Sequence, residues 1–224
     1  MTAHDESVTA TRPRVSGPLG ILAVLAVLGV NLVLAPLGAV LVLLWARWSR
    51  TPWSELGFVR PRSVARDLSL GVALGAALKL VTKAVVMPLL GADPINRAFH
   101  FIAGNPSALP GMLFASIVVG GVGEEIVYRG FLFERLRTLF GRSALATVLI
   151  VVLTSAFFSS IHYPEQGLAG AQQAVVTGLV FGTVFAATGR IWTVMVAHAA
   201  YDITAVVIIY FDLETTVAQL VFHR

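Results

Sequence analysis

Long apolar stretches alternate with short polar ones along most of this 224-residue chain. A helix needs about 20 predominantly apolar residues to cross a bilayer. Stretches of about that length predict six membrane-spanning helices, at residues 18–46, 68–90, 109–133, 144–161, 168–188 and 191–210. The first is too long for a signal-peptide core of about 7–15 residues. We therefore expect one long spanning helix there, with a bend at Pro36.

The polar stretches indicate how the chain is divided. Residues 1–17 are a polar tail, residues 18–211 a single transmembrane domain, and residues 212–224 a short tail. After the first span, the sequence WSELGF predicts an interfacial helix anchored by Trp53 and Phe58. The Asn, Pro and Gly residues of 91–107 predict a loop, and HYPEQG predicts a break between the fourth and fifth spans.

Composition supports this division. Hydrophobic residues make up 57% of the chain and charged residues only 12%, whereas a soluble domain carries about 25% charged residues. The expected fold is therefore all-α, a polytopic helical membrane bundle of about six transmembrane helices within the lipid bilayer. The chain has no cysteine, which excludes disulfides, thiolate nucleophiles and cysteine-ligated metals.

The formal net charge of +4 comes from arginines concentrated in short loops. Residues 47–66 hold five arginines and residues 135–142 hold three, and two predicted spans separate these loops. Arg190 follows two spans later. Since arginine collects in cytoplasmic loops, we expect these loops on the cytoplasmic side and the amino terminus outside. The charge therefore does not indicate a nucleic-acid partner.

Lys79 and Lys83 interrupt the second span one turn apart. They would contact a substrate carboxylate or a lipid headgroup if functional. Snorkelling, or burial against a carboxylate, is the interpretation that we favour.

The stretch GGVGEEIVYRG, residues 120–130, places Glu124, Glu125 and Arg129 in an apolar span. One charge near the centre of a span costs about 2.5–3.5 kcal/mol on insertion scales, so such groups must pair or face water. Glu125 and Arg129 are four residues apart and can pair. Glu124 lies about 100° round an α-helix from Glu125 and has no such partner. The glycines around it allow close approach of another helix or a substrate.

Two later spans carry further polar groups. Phe158 and His162 are four residues apart, as are His198 and Asp202, and each pair shares one helix face. Together with Glu124 they supply a carboxylate, two imidazoles and a second carboxyl group. These groups are sufficient to activate water and to stabilise an oxyanion.

These motifs resemble those of the CPBP family, which includes CaaX prenyl proteases of the Ras-converting type and the bacteriocin-processing or immunity proteins called Abi. EEIVYR resembles its Glu-Glu-x-x-x-Arg motif, FSSIH its Phe-x-x-x-His motif and HAAYD its His-x-x-x-Asn/Asp motif. The three occur in the family's order, each on a predicted span, within a core of about 109–210.

The resemblance implies a glutamate-dependent intramembrane endopeptidase that uses no metal or other cofactor. Glu124 would activate water with help from His162, and His198 and Asp202 would stabilise the oxyanion. Glu125, Arg129 and Phe158 would be supporting residues. The expected substrate is a membrane-associated peptide or protein, prenylated or bacteriocin-like, in a bacterial plasma membrane.

Asp202 departs from the prenyl proteases, which typically have Asn there. Asn can donate a hydrogen bond to an oxyanion, whereas an ionised Asp cannot and would instead orient His198. Asp occurs in bacterial members, so this departure weakens the prenyl-substrate interpretation more than the protease interpretation.

Three alternatives remain open. Glu124, His162 and His198 are acceptable zinc ligands for a metalloprotease, although the chain has no HExxH and the three lie on different spans. A non-catalytic immunity or scaffold protein would use the same charges structurally. A transporter predicts broken helix pairs or an inverted repeat, which the sequence does not clearly show.

The predicted spans place the candidate residues at unequal depths. At about 1.5 Å per residue, Glu124 lies about 20 Å from Arg137, His162 about 30 Å from Arg142 and His198 about 12 Å from Arg190. Side chains that act on one water molecule should lie at similar depths. The sequence therefore leaves open the side on which a site would open.

Overall fold

The computed structural model describes residues 18–61 and 63–222. Within these ranges the chain is built from helices and contains no strand. Four of the described helices are long and apolar enough to cross a membrane: Val64–Leu89, Pro106–Phe140, Ala144–Thr188 and Ile191–Tyr210. The predicted all-α membrane bundle is confirmed, and the chain is an integral membrane protein. The polar tail, residues 1–17, and Arg62 lie outside the described residues.

The prediction of one long first span is wrong. The chain forms two helices there, α1 (Pro18–Val33) and α2 (Ala35–Ser49), and each is shorter than the about 20 residues that a span needs. Leu34 between them has φ −144° and ψ 80°. Because a proline ring clashes with the carbonyl four residues earlier, Pro36 is accommodated in the first turn of α2. The two helices contact each other where Asn31 packs on Gly38.

The next two helices are α3 (Val64–Leu89) and α4 (Pro106–Phe140). The Ser63 side chain caps α3 by accepting a hydrogen bond from the Arg66 backbone N–H at 3.3 Å. Helix α4 runs past the predicted end at residue 133, so the prediction that Arg135 and Arg137 lie in a loop is wrong. On this extension Arg135 is buried, with its guanidinium over the rings of Trp45 and Phe131.

The predicted break in HYPEQG is confirmed. The helix Ala144–Thr188 is interrupted at Gly167, where φ is 64° and ψ is −163°. Only glycine adopts such a conformation readily. We name the two parts α5, residues 144–166, and α6, residues 168–188. They pack as an antiparallel pair, with the Ser159 hydroxyl donating to the Ala171 carbonyl at 2.7 Å and Ser155 against Gly178.

Helix α7 (Ile191–Tyr210) lies at the centre of the bundle and packs closely along α3. A Cβ atom at Gly75 would lie 2.0 Å from the Ala197 carbonyl oxygen, and one at Gly71 would lie 2.7 Å from Val196. The small residues of α3 therefore set how closely it approaches α7. Beyond α7, where we expected a short tail, the chain forms α8 (Glu214–Ala218), in which Glu214 is buried.

The arginine-rich segments meet at one end of the bundle. Arg142 pairs with Glu55 at 3.6 Å and Arg190 pairs with Asp67 at 3.6 Å. The WSELGF segment forms a short 3₁₀ helix, Trp53–Leu56, at the same end. The arginine-bearing segments therefore share one side, as predicted from their spacing. That this side is cytoplasmic stays a prediction.

The outer faces of the helices expose large apolar side chains. On α5, for example, Leu145 is 79% exposed, and Val148 and Val152 are also exposed. Soluble monomers rarely expose continuous apolar surface on this scale. Lipid contact explains these faces.

Candidate active site

Four predicted site residues line one cavity of about 290 Å³ inside the bundle. Glu124 comes from α4, His162 from α5, and His198 and Asp202 from α7. Phe158 of α5 lines the same cavity. Residues from three helices that are distant in sequence therefore face a shared polar space among apolar walls.

The winding of α4 changes around the motif. Residues Ala115–Glu124 and Ile126–Leu132 are wound as π-helix, whose hydrogen bonds run from residue i to i+5 and which is common at functional sites. The two neighbouring glutamates face different surroundings. The Glu124 side chain is 15% exposed at the cavity, whereas that of Glu125 is fully buried.

The expected pairing of Glu125 with Arg129 is present, with Arg129 Nη1 2.7 Å from Glu125 Oε1. The guanidinium also lies over the rings of Phe158 and Phe181, 4.8 Å and 5.8 Å from their centroids. The same Glu125 oxygen lies 2.7 Å from His198 Nδ1. Sequence spacing did not predict this second contact, because it joins α4 to α7.

Glu125 therefore determines the orientation of His198. Because a carboxylate accepts hydrogen bonds, Nδ1 carries the proton in this contact, and Nε2 is directed to the cavity. There, Nε2 lies 3.8 Å from Glu124 Oε2 and 3.6 Å from Asp202 Oδ2. Both distances exceed the usual hydrogen-bond range of about 2.7–3.2 Å. The carboxylate within hydrogen-bond distance of His198 is thus Glu125, whereas the sequence led us to expect that Asp202, if ionised, would orient His198.

His162 is held by its own helix. Its Nδ1 donates a hydrogen bond to the Phe158 carbonyl at 2.7 Å, and its ring lies 4.5 Å from the Phe158 ring. This leaves Nε2 as the nitrogen available to the cavity. The ring is directed back by one turn toward the start of α5. The predicted spans implied that His162 and His198 lie at different depths in the membrane. Because the His162 ring is directed back along α5, the two rings lie closer in depth than their backbone positions suggested.

Two glycines of α4 allow α7 to approach this closely. A Cβ atom at Gly120 would lie 2.7 Å from Asp202 Oδ2 and 3.4 Å from His198 Nε2. One at Gly121 would lie 2.8 Å from Ala199 Cβ and 3.0 Å from the Met195 carbonyl oxygen. The lack of a side chain at Gly120 thus leaves room for Asp202 and His198, and the lack of one at Gly121 allows α4 and α7 to pack closely.

Eight polar residues in the cavity wall were not predicted as part of the site: Lys79, Asn96, Ser116, Glu165, Gln166, Gln173, Thr177 and Tyr201. A glutamine inside an apolar span is the sequence signal that could have indicated Gln173.

The zinc alternative concerns Glu124, His162 and His198, which line the cavity together. In the described part of the chain, no three His, Asp or Glu side chains are arranged as a group that could hold a metal ion.

Comparison with known proteins identified one family. The model of the family described as type II CAAX prenyl endopeptidase Rce1-like matches residues 106–204. Searches of curated proteins and of solved structures found no match. The matched segment contains all three motifs, and the family implies protease activity of the CAAX type. Residues 106–204, a little under half of this chain, are therefore similar to the Rce1-like family of type II CAAX prenyl endopeptidases.

Proposed function

We propose that the protein is a glutamate-dependent intramembrane endopeptidase that hydrolyses a peptide bond of a membrane-associated substrate. The observation that carries this proposal is the shared cavity lined by Glu124, His162, His198 and Asp202. Peptide hydrolysis needs water, which the bilayer core lacks, so a polar cavity within the bundle is a requirement of the reaction.

In the proposed reaction, Glu124 accepts a proton from a water molecule that His162 Nε2 helps to hold. The water oxygen bonds to the carbonyl carbon of the scissile peptide. Glu124 then returns the proton to the leaving nitrogen as the carbon–nitrogen bond breaks. One water molecule is consumed, and the products are a new carboxyl group and a new amine.

His198 and Asp202 form the oxyanion site of this proposal. With Nδ1–H held by Glu125 at 2.7 Å, an imidazolium would direct Nε2–H into the cavity and donate to the oxyanion. Arg129 balances the buried charge of Glu125. Asp202 contributes a hydrogen bond only in its protonated form, since an ionised carboxyl group has no proton to donate.

We further propose a prenylated or bacteriocin-like peptide as substrate and a bacterial plasma membrane as location. Support for the substrate class comes from the family's description as prenyl endopeptidases. The exposed apolar faces of the helices would bring a lipid-anchored substrate and the protein into the same bilayer.

The direct test is cleavage of lipid-anchored peptides by purified protein in detergent. Glu124→Gln keeps the shape of the side chain and removes the base, so we expect kcat to fall by about 10²–10⁴-fold. Glu55→Gln is the matched control, because Glu55 pairs with Arg142 and does not line the cavity, so it should leave kcat unchanged. Full activity in Glu124→Gln would exclude Glu124 as the base.

Two further measurements test the alternatives. A chelator should leave activity unchanged; a loss that zinc restores would favour the metalloprotease. A scaffold or immunity protein would cleave none of the peptides and would tolerate Glu124→Gln in its binding function.

A further inference from the structure

A polar cavity of about 430 Å³ lies at the arginine-rich end of the bundle. Its wall is formed by the segment that includes the 3₁₀ helix Trp53–Leu56, by the end of α4 and by the turn between α6 and α7. A volume of this size is typical of ligand-binding pockets. No described residue lines both this cavity and the catalytic one. The cavity is therefore separate from the candidate active site.

Arg137 of α4 lines this cavity and is held there by aromatic rings. Its guanidinium carbon lies 5.7 Å from the ring centroid of Phe133 and 5.8 Å from that of Phe185. Within residues 18–61 and 63–222, no carboxylate pairs with this guanidinium and no hydrogen bond engages it. A guanidinium carries five N–H donors in one plane, and contacts with ring faces do not use them. Arg137 can therefore bind an anion that enters the cavity.

The two carboxylates in the cavity wall are each engaged by another arginine. Glu134 accepts a hydrogen bond from Arg135 Nε, and Glu55 pairs with Arg142 at 3.6 Å. These contacts balance the two negative charges with two positive ones. Among the described groups that line the cavity, the positive charge of Arg137 is therefore left unbalanced. An anion with a single negative charge would neutralise it.

The surroundings of the cavity indicate which anion can reach it. Trp53 and Trp192, at the same end of the bundle, are exposed, and tryptophan is enriched where a membrane meets water. Trp192 Nε1 donates a hydrogen bond at 3.0 Å to the carbonyl of Val59, which lines the cavity. Leu139 and Phe140 at the end of α4 are also exposed and can contact acyl chains. The cavity therefore lies at the depth of the lipid headgroups.

We propose that this cavity binds the phosphate of a phospholipid headgroup, with Arg137 as the principal ligand. The guanidinium would donate to two phosphate oxygens as a fork, and the Ser54 hydroxyl, which lines the same cavity, would donate to another. The single negative charge of a phosphate diester matches the charge of Arg137. A bound headgroup would link the 3₁₀ helix, α4 and the turn between α6 and α7. This site goes beyond the proposed function and does not depend on it.

Titration of the detergent-purified protein with short-chain lipids tests the site. The probe is dioctanoyl-phosphatidylglycerol, and its matched control is dioctanoylglycerol, which has the same chains and no phosphate. Native mass spectrometry measures the two affinities. We expect the phosphate-bearing lipid to bind about tenfold or more tightly, since hydrogen bonds to charged groups are the strong ones, and to raise the melting temperature as it binds. Equal affinities would overturn the inference.

Substitutions assign the preference to Arg137. Arg137→Met removes the guanidinium and should make the two affinities equal. Arg137→Lys keeps a cation against the aromatic rings but cannot form the fork, so it should retain only part of the preference. Arg66→Met is the charge-matched control, because Arg66 is exposed in the first turn of α3 and does not line the cavity. A preference unchanged in either Arg137 variant, or reduced as much in Arg66→Met, would overturn the inference.

Free phosphates distinguish the two sources of such an anion. Inorganic phosphate and glycerol phosphate offer the same oxygens without acyl chains, so we expect them to raise the melting temperature less than the lipid does at the same concentration. An equal rise would assign the cavity to a free phosphate compound and overturn the lipid assignment. Glu124→Gln should bind the lipid as the wild type does, so cleavage and lipid binding report on separate sites.

Discussion

Gly120→Ala should inactivate the site while leaving the bundle folded. The new Cβ atom would lie 2.7 Å from Asp202 Oδ2, at least 0.7 Å closer than ordinary van der Waals contact, which begins at 3.4 Å. The atom that it meets is the end of a side chain that is 34% exposed. Asp202 can therefore move away, and in moving it leaves its position beside His198.

The expected loss of activity follows from this displacement. A misplacement of about 1 Å in a catalytic site can cost about 10²-fold, so we expect kcat/KM to fall by about 10²-fold. This corresponds to about 2.7 kcal/mol of transition-state stabilisation at 1.36 kcal/mol per tenfold. Stability should change little, because alanine in a helix is favoured over glycine by about 0.5–1 kcal/mol, which offsets part of the strain.

Two other glycines of α4 provide controls. A Cβ atom at Gly111 meets nothing within 4 Å, so Gly111→Ala should retain both activity and stability. At Gly121 the Cβ atom meets Ala199 Cβ at 2.8 Å and a backbone carbonyl oxygen at 3.0 Å, neither of which can rotate away. Gly121→Ala should therefore lower the melting temperature.

The assay combines cleavage of a lipid-anchored peptide with thermal denaturation of the same detergent-purified samples. Wild-type kcat/KM in Gly120→Ala would refute the argument that the Asp202 position matters. A fall in its melting temperature as large as that of Gly121→Ala would mean that Gly120 serves packing instead.

Three further outcomes follow from the structure. Asp202→Asn should retain kcat/KM within about tenfold because Asn can donate a hydrogen bond. Asp202→Ala cannot donate one and should lower kcat/KM by about 10²–10³-fold. Equal losses of kcat/KM in the two variants would show that the charge of Asp202 is what matters. Arg129→Met removes the guanidinium that pairs with buried Glu125 and should destabilise the fold by about 3–5 kcal/mol, measured by denaturation. An unchanged melting temperature would contradict this. Glu214 accepts hydrogen bonds from Lys83 and the Asn96 backbone N–H and contacts His100. Glu214→Gln weakens these contacts and should increase hydrogen exchange in residues 93–102 but not in α5. Unchanged exchange would show that Glu214 does not hold residues 93–102 in place.

The features that the sequence predicted correctly are local ones. Apolar length predicted the membrane helices, because a bilayer requires every backbone polar group to be satisfied within the helix. The four-residue spacing predicted the Glu125–Arg129 pair, and HYPEQG predicted the break that occurs at Gly167. At Pro36 the sequence did not distinguish a bend within one helix from a break between two. We predicted a bend, whereas the chain forms two separate helices.

The sequence also identified the residues that line the candidate site, but it did not reveal their arrangement. Helix periodicity shows which residues share a face and leaves open which helix lies opposite that face. It could not show that Glu125 contacts His198, or that Lys83 pairs with Glu214 while Lys79 has no carboxylate within 4.0 Å among the residues that the structure describes. Those contacts depend on how closely α3 and α4 approach α7, which the glycines at their interfaces permit. By itself the sequence determined the class of protein and the candidate chemical groups, since these depend on composition and spacing along one helix. Only the tertiary structure decided which groups meet, because that depends on packing between helices distant in the chain.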